Sequence, residues 1–154
     1  MYKIVDHLYL SSYNDADAHL KNCADENNIY VINCTANLPL LHSNGIRFAI
    51  NDDKLESTLV MMKDNFETLV NIMRMIIERG NDVIVHCQAG QQRGPTIVAA
   101  YLMRIHSMSA KEAIAYIKTK KPDVFMLGIN FWSSLKQYEK ELAPVVWQGF
   151  PTIA

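Results

Sequence analysis

Residues 86–93 read His86-Cys87-Gln88-Ala89-Gly90-Gln91-Gln92-Arg93, with the cysteine and the arginine six positions apart. The three apolar residues 83–85 before this octet predict a short buried strand. Residues 94–102 after it predict a helix with Pro95 at its first position. The octet is therefore predicted to be a loop between a strand and a helix, which is typical of an α/β fold.

A loop in this position can bind an anion. Backbone N–H groups that turn inward at a helix N-terminus form a site for a tetrahedral oxyanion such as phosphate. The same field favours a thiolate over a thiol at Cys87, and the planar fork of Arg93 can hold two phosphate oxygens. Gly90 suits a tight loop, because glycine adopts unusual dihedral angles. Taken alone, a buried cysteine is usually a small apolar residue, so the inference depends on the joint spacing.

Composition limits the possible architectures and partners. The chain has 154 residues, of which 49% are hydrophobic, and this is enough for one domain with a sizeable core. We expect a single domain over residues 1–154, with the aperiodic tail 143–154 packing on the body or, alternatively, contacting a partner. The net charge of -1 gives no reason to expect a nucleic acid or a membrane surface as partner. The lysines at 118, 120 and 121 are interpreted as a solvated helix end.

The cysteines indicate a reducing compartment. They stand at positions 23, 34 and 87, an odd number without Cys-x-x-Cys pairing, which argues against a disulfide framework and against a zinc site. The first residues lack the apolar stretch of a signal peptide, and no window has the ~18 apolar residues of a transmembrane helix. We therefore expect a cytoplasmic or nuclear protein without a bound metal.

Apolar periodicity predicts strands that alternate with helices. Strands are predicted at 3–5, 8–10, 29–34 and 47–50. Helices are predicted from a cap at Ser12 or Asn14 to about residue 26, from Ser57 or Thr58 to Gly80, from the capping box at Ser109 to about residue 120, and over 130–142. Such alternation implies a mostly parallel central sheet flanked by helices, with ligands bound at the carboxyl ends of its strands. Cys87 is predicted to lie at such an end.

Two aspartates follow the strand predicted at 47–50. Attack by a thiolate on a phosphate ester requires an acid that protonates the departing oxygen. Asp52 and Asp53 emerge at a strand end and are both candidates for that acid. A turn or a helix cap is the ordinary structural role of such residues.

Several segments together resemble the dual-specificity protein phosphatases, the small branch of the cysteine-dependent protein tyrosine phosphatase superfamily. The segments are the octet, the aspartate about 35 residues before Cys87, and the stretches Leu8-Tyr9-Leu10-Ser11, Val31-Ile32-Asn33-Cys34-Thr35 and Ala99-Ala100-Tyr101-Leu102-Met103. The resemblance runs from about residue 4 to 142. It implies a protein tyrosine phosphatase-like fold.

The resemblance also implies roles for individual residues. Cys87 would take the phosphoryl group while Asp52, at the family's hydrophobic-x-Asp position, protonates the leaving oxygen and then activates water; Asp53 is the alternative acid. Arg93 and the backbone amides from Gln88 to Arg93 (through Ala89, Gly90, Gln91 and Gln92) would bind the phosphate, with the glutamine side chains pointing outward. His86 would support the thiolate from behind. No cofactor is required.

The chain departs from the family pattern at two places. Gly94 stands where the family almost always has Ser or Thr, whose hydroxyl donates to the cysteine sulfur, so the release of phosphate from Cys87 is expected to be slow. Leu127-Gly128 stands where relatives often have Pro-Asn.

Three functions are compatible with these residues. The first is a protein phosphatase acting on phosphotyrosine and on phosphoserine or phosphothreonine. The second is a phosphoinositide or RNA 5′-triphosphate phosphatase of the same fold, although such charged substrates usually require lysines in or beside the loop. The third, supported by Gly94 alone, is a weakly active domain that binds phosphorylated partner proteins.

Overall fold

A five-stranded sheet lies at the centre of the computed structural model, which describes residues 1–23 and 26–143. The strands are β1 (Tyr2–Val5), β2 (Leu8–Ser11), β3 (Ile29–Asn33), β4 (Gly45–Arg47) and β5 (Asp82–His86). Their order is β1-β2-β5-β3-β4, and all neighbours are parallel except β1 and β2. The predicted mostly parallel sheet is confirmed.

Helices cover both faces of the sheet. They are α1 (Tyr13–Lys21), α2 (Glu56–Glu78), α3 (Arg93–Ile105), α4 (Ala110–Lys120) and α5 (Trp132–Leu142), with a short 3-10 turn at Glu26–Asn28. On one face, α1 packs against alternate residues of the central strands, such as Val31 and Ile84. The residues between them, such as Ile32 and Val85, belong to the larger core with the other four helices. This alternation follows from the two-residue period of a strand.

Local signals place the helix starts. Ser12 caps α1, because the backbone N–H of Asp15 donates to its hydroxyl at 3.2 Å. The predicted capping box is present at α4, where the backbone N–H of Glu112 donates to Ser109 Oγ and that of Ser109 donates to Glu112 Oε1. Each such cap satisfies backbone groups that a helix leaves unpaired.

Several predicted boundaries were wrong by a few residues. Helix α1 ends at Lys21, α2 begins at Glu56 and α5 begins at Trp132. Strand β4 ends at Arg47 rather than at residue 50, because the chain then turns toward the octet, where Ile50 O accepts a hydrogen bond from Arg93.

Two further predictions concern the ends of elements. Helix α3 begins at Arg93, so Pro95 is its third residue rather than its first. It remains in the first turn, where the missing N–H of proline breaks no helical hydrogen bond. The predicted packing of the tail 143–154 lies outside the described residues, apart from Ala143.

The strand register places the octet at one edge of the sheet. Ser11 of β2 and Asn33 of β3 both pair with His86, the last residue of β5. The loop after His86 therefore leaves the sheet at the carboxyl ends of three parallel strands. In the part of the chain that is described, no helix combines the length and the apolar character needed to span a membrane.

Candidate active site

Residues 87–92, here called the Cys87 loop, connect β5 to α3. Its carbonyl groups face the surrounding elements: Gln88 O accepts from the backbone N–H of Tyr13, and Gln91 O accepts from that of Phe125. Gln92 O accepts from both the backbone N–H and the hydroxyl of Thr96. The N–H and C=O of a trans peptide unit point in opposite directions. The N–H groups that share these peptide units therefore point away from those partners and into the loop.

Gly90 is required by the shape of the loop. Its φ is +71°, in the left-handed region. A side-chain carbon there would also lie 3.0 Å from the backbone of Ser11, at the end of β2. The loop can therefore pack this closely on β2 only with glycine at position 90.

Cys87 is the first residue of the loop, and Arg93 follows its last residue as the start of α3. Cys87 is 3% exposed and lines a cavity of about 370 Å³ that Arg93 also lines. The guanidinium of Arg93 donates to Ile50 O at 3.0 Å, just before the two candidate acids. A guanidinium has five N–H donors. This hydrogen bond to Ile50 O uses one of the five donors of Arg93 and fixes the side chain. The remaining N–H groups are still available to the cavity.

The two aspartates have different environments. Asp52 lines the cavity with Cys87, and its carboxylate accepts a hydrogen bond from the side-chain amide of Asn130 at 2.8 Å. Asp53 instead accepts from the hydroxyl of Thr58 and from the backbone N–H of Leu55, and these bonds lower the pKa of its carboxyl group. Asp53 therefore stabilises the start of α2 as an anion, whereas Asp52 lines the cavity with Cys87.

The prediction that the Gln92 side chain points outward was wrong. Gln92 is buried, its amide nitrogen donates to Gly128 O at 2.8 Å, and its amide oxygen accepts from the backbone N–H of Asn130 at 3.1 Å. These partners follow it by 36 and 38 residues, so the octet itself gives no sign of them. Gln92 thus joins the Cys87 loop to the segment that precedes α5. Gln88 is exposed and Gln91 is half-buried.

His86 lies fully buried behind the loop. Its ring nitrogen Nδ1 is 3.0 Å from Cys87 O, and a carbonyl only accepts, so Nδ1 carries the proton. Burial lowers the pKa of the imidazole, against the effect of that hydrogen bond. The ring also meets Tyr13 edge-on, with centroids 5.8 Å apart. A neutral His86 therefore holds the backbone of Cys87 in place.

A second thiol lies next to the site. Cys34 is fully buried after β3, and its backbone N–H donates to His86 O at 2.8 Å. Burial raises the pKa of its thiol well above the usual range, and the proximity of Cys87 raises it further. Cys34 therefore stays protonated and packs as a small apolar residue.

Gly94 leaves a space beside the sulfur. A side-chain carbon at this position would lie 3.6 Å from Cys87 Sγ and 3.2 Å from Leu10 Cδ1. A side chain as small as serine thus fits with a shift of a few tenths of an ångström at Leu10. Its hydroxyl would be within reach of Sγ.

The types of residue that line this cavity, rather than its volume, distinguish it from the other clefts of the protein. Its lining consists of Asp52, Lys54, Cys87, Gln88, Ala89, Gln91, Gln92, Arg93, Leu127 and Asn130. Two larger clefts of about 780 Å³ each lie elsewhere, and neither has a cysteine among its lining residues. The cavity thus brings together a thiol, a guanidinium and a carboxylate.

Comparison with known proteins agrees with this geometry. The family model described as "Dual specificity phosphatase, catalytic domain" matches residues 8–141. The chain belongs to the dual specificity phosphatase family. In this family member, Cys87, Arg93 and Asp52 line one cavity.

Some relatives in the family are about as long as this chain, and others are several times longer. A putative tyrosine phosphatase (123R) of Invertebrate iridescent virus 6 is 33% identical over 141 residues, which cover 91% of this chain and 92% of the viral protein. Human dual specificity protein phosphatase 8 is 32% identical over 145 residues, covering 91% of this chain. The chain spans only 22% of that human protein and 21% of the rat dual specificity protein phosphatase 5.

Solved structures show the same fold. Human DUSP28 superimposes with a TM-score of 0.76 at 23% identity, covering 92% of this chain and 97% of that one. The predicted protein tyrosine phosphatase-like architecture is confirmed.

Sequence reasoning missed three residues that line the cavity. Asn130 holds Asp52 across 78 positions of sequence, and Lys54 reaches the rim from a left-handed turn with φ +60°. Leu127 lines the cavity from the segment that precedes α5. Only Lys54, two positions after Asp52, could have been found from the sequence.

Proposed function

We propose that this chain is a protein phosphatase that hydrolyses phosphotyrosine and phosphoserine or phosphothreonine through a cysteinyl-phosphate intermediate. The observation that carries the proposal is the shared cavity, in which Cys87, Arg93 and Asp52 lie around one space. Its phosphorylated protein substrates would enter that cavity from solvent. The named phosphatases among the relatives support the same activity.

The first step transfers the phosphoryl group to sulfur. The thiolate of Cys87 attacks phosphorus, an S–P bond forms and the P–O ester bond breaks. Asp52 gives its proton to the leaving oxygen. The fork of Arg93 and the inward amides of the Cys87 loop, from Gln88 to Arg93, stabilise the negative charge on the phosphoryl oxygens.

The second step releases phosphate. Asp52, now a carboxylate, takes a proton from a water molecule whose oxygen attacks phosphorus. The S–P bond breaks, and Cys87 returns as a thiolate beside inorganic phosphate. Apart from the substrate and a water molecule, both steps use only groups of this chain, and the proposal requires no cofactor and no metal.

The two alternative functions have less support from the residues of the cavity. Among the described residues that line the cavity, Lys54 is the only lysine, and the loop positions 88, 89, 91 and 92 are uncharged. Phosphoinositides and RNA 5′-triphosphates carry more charge than these residues can balance. A binding domain without turnover is opposed by the presence of Asp52 in the cavity.

We also propose a cytoplasmic or nuclear location. The three cysteines are unbridged, and Cys87 acts as a nucleophile only while it stays reduced. Reducing compartments preserve such thiols.

A panel of substrates tests the proposal. Matched phosphotyrosine and phosphothreonine peptides, a phosphoinositide vesicle and a 5′-triphosphate RNA are incubated with the protein, and free phosphate is measured. The proposal predicts release from both peptides and much less from the other two substrates. Greater release from the vesicle or from the RNA would reject a protein phosphatase.

Replacement of Asp52 tests the acid. Asp52→Asn is expected to slow hydrolysis of a phosphothreonine peptide by about a hundredfold or more, because the alkoxide is a poor leaving group that needs a proton. The loss on p-nitrophenyl phosphate, whose leaving group needs little protonation, is expected to be much smaller. Asp53→Asn is the matched control, since asparagine still accepts the hydrogen bond from Leu55. Equal losses in the two variants would contradict the assignment.

Gly94→Ser is expected to raise steady-state turnover. A serine hydroxyl beside Cys87 Sγ can donate a hydrogen bond to the departing thiolate, and such a bond to a charged group is worth ~1.5–3 kcal/mol, or about tenfold or more in rate. Gly94→Ala fills the same space without a donor and is the control. The account is wrong if the serine variant is no faster than the alanine variant in steady-state phosphate release.

A further inference from the structure

Two adjacent apolar side chains are exposed on one turn, and one of them lines the cavity. Leu127 is 90% exposed and lines the cavity with Cys87 and Arg93, and its neighbour Met126 is 66% exposed. We call Met126 and Leu127 the apolar lip. Single exposed apolar residues are common on protein surfaces, so their exposure gains meaning only from the way in which the backbone holds them.

The turn that carries the lip is fixed to the Cys87 loop at both ends. The backbone N–H of Phe125 donates to Gln91 O at 3.0 Å, and Gly128 O accepts from the side chain of Gln92 at 2.8 Å. A third bond, from Gly128 N to Phe125 O at 3.1 Å, closes the turn. The position of the lip is therefore set by the same residues that shape the phosphate site.

The turn also contains an unfavourable backbone conformation. Phe125 has φ +57°, which is rare for an aromatic residue, and its side chain is 3% exposed. Gly128, at φ +103°, takes the second left-handed position without a side chain. Such conformations persist where the surroundings enforce them, and they cluster at functional sites. Here the buried Phe125 ring anchors the turn and leaves the next two side chains in solvent.

The rest of the cavity is polar. Asp52 and Lys54 belong to the loop before α2, and the other polar lining residues include amide side chains such as those of Gln91 and Asn130. A substrate bound here would thus meet charges from one segment and apolar surface from another.

We propose that the apolar lip contacts a large apolar side chain next to the phosphorylated residue, so that the enzyme prefers substrates with such a neighbour. This inference rests on the phosphatase function proposed above. Consecutive Cα atoms of a peptide are about 3.8 Å apart, so a residue one or two positions from the phosphorylated one reaches the rim of the cavity. Binding would cover Leu127 and Met126, which water surrounds in the free protein.

Two phosphotyrosine peptides test the preference. They differ only at the positions on either side of phosphotyrosine, which carry leucine in one peptide and serine in the other. The wild-type kcat/KM is expected to be about tenfold higher for the leucine peptide, the size of discrimination that a modest apolar contact gives. Leu127→Gln should bring the ratio of the two kcat/KM values close to one, mainly through a loss on the leucine peptide.

Met75→Gln is the matched control. Met75 is 49% exposed in the last part of α2, away from the cavity lining, so the ratio should stay at its wild-type value. Thermal melting confirms that each variant is folded. The proposed substrate preference would be rejected if the wild-type ratio of the two kcat/KM values were near one. It would also be rejected if Leu127→Gln left that ratio unchanged. Failure of the wild type to hydrolyse either peptide would instead reject the phosphatase function itself.

Discussion

Cys87→Ser is expected to lower phosphate release by at least about a thousandfold. A serine hydroxyl is a far weaker nucleophile than a thiolate at neutral pH, and the inward amides of the loop cannot compensate, because the pKa of that hydroxyl lies far too high for them to ionise it. Binding should persist, since Arg93 and the loop backbone remain in place. The measurements are kcat/KM on a phosphotyrosine peptide and the Kd of the same peptide for the variant.

Cys23→Ser controls for the loss of a thiol. Cys23 lies beyond the end of α1 and does not line the cavity, so its replacement should leave kcat/KM unchanged. If Cys87→Ser kept activity within about tenfold of the wild type, Cys87 would not be the nucleophile.

Arg93→Lys is expected to reduce kcat/KM by at least about a hundredfold, the usual effect of removing one donor to a developing oxyanion. Lysine keeps the positive charge but loses the planar fork that can hold two phosphoryl oxygens. It also loses the geometry of the bond to Ile50 O, which fixes the chain just before Asp52. The variant should therefore bind the phosphoryl oxygens less well and also position Asp52 less well.

Arg47→Lys is a matched control for this change. Arg47 likewise donates to backbone carbonyls, those of Thr35 and Leu38, but it does not line the cavity. It should retain nearly full activity on the same peptide. Comparable losses at positions 47 and 93 would show that the effect is structural, and the role of Arg93 would have to be abandoned.

The octet was predictive because the spacing of Cys87, Gly90 and Arg93 is itself local, although the loop also contacts distant segments. The positions of Cys87, Gly90 and Arg93 follow from one strand, one turn and one helix, and each has a local physical requirement. The capping box at Ser109 is predictable for the same reason, since both its hydrogen bonds lie within four residues.

Features that depend on distant partners were not predictable. The inward turn of Gln92 requires Gly128 and Asn130, and Asp52 is distinguished from Asp53 locally only by the hydrogen bonds that Asp53 makes at α2. The resemblance to a family favoured Asp52, which lines the cavity with Cys87, but the hydrogen bond of Asp52 to Asn130 spans the fold. The early end of β4 has a similar cause, because Arg93 binds the chain that follows it.

Trapping the intermediate tests the central claim most directly. The wild-type protein is mixed with excess phosphotyrosine peptide, denatured at increasing times, and analysed by intact mass and peptide mapping. Because Gly94 offers no hydroxyl to ease the release of phosphate, the account predicts a burst of dephosphorylated peptide equal to the enzyme concentration, with one phosphoryl group on Cys87. Product that forms without any phosphoryl group on Cys87, or with the group on another residue, would contradict it.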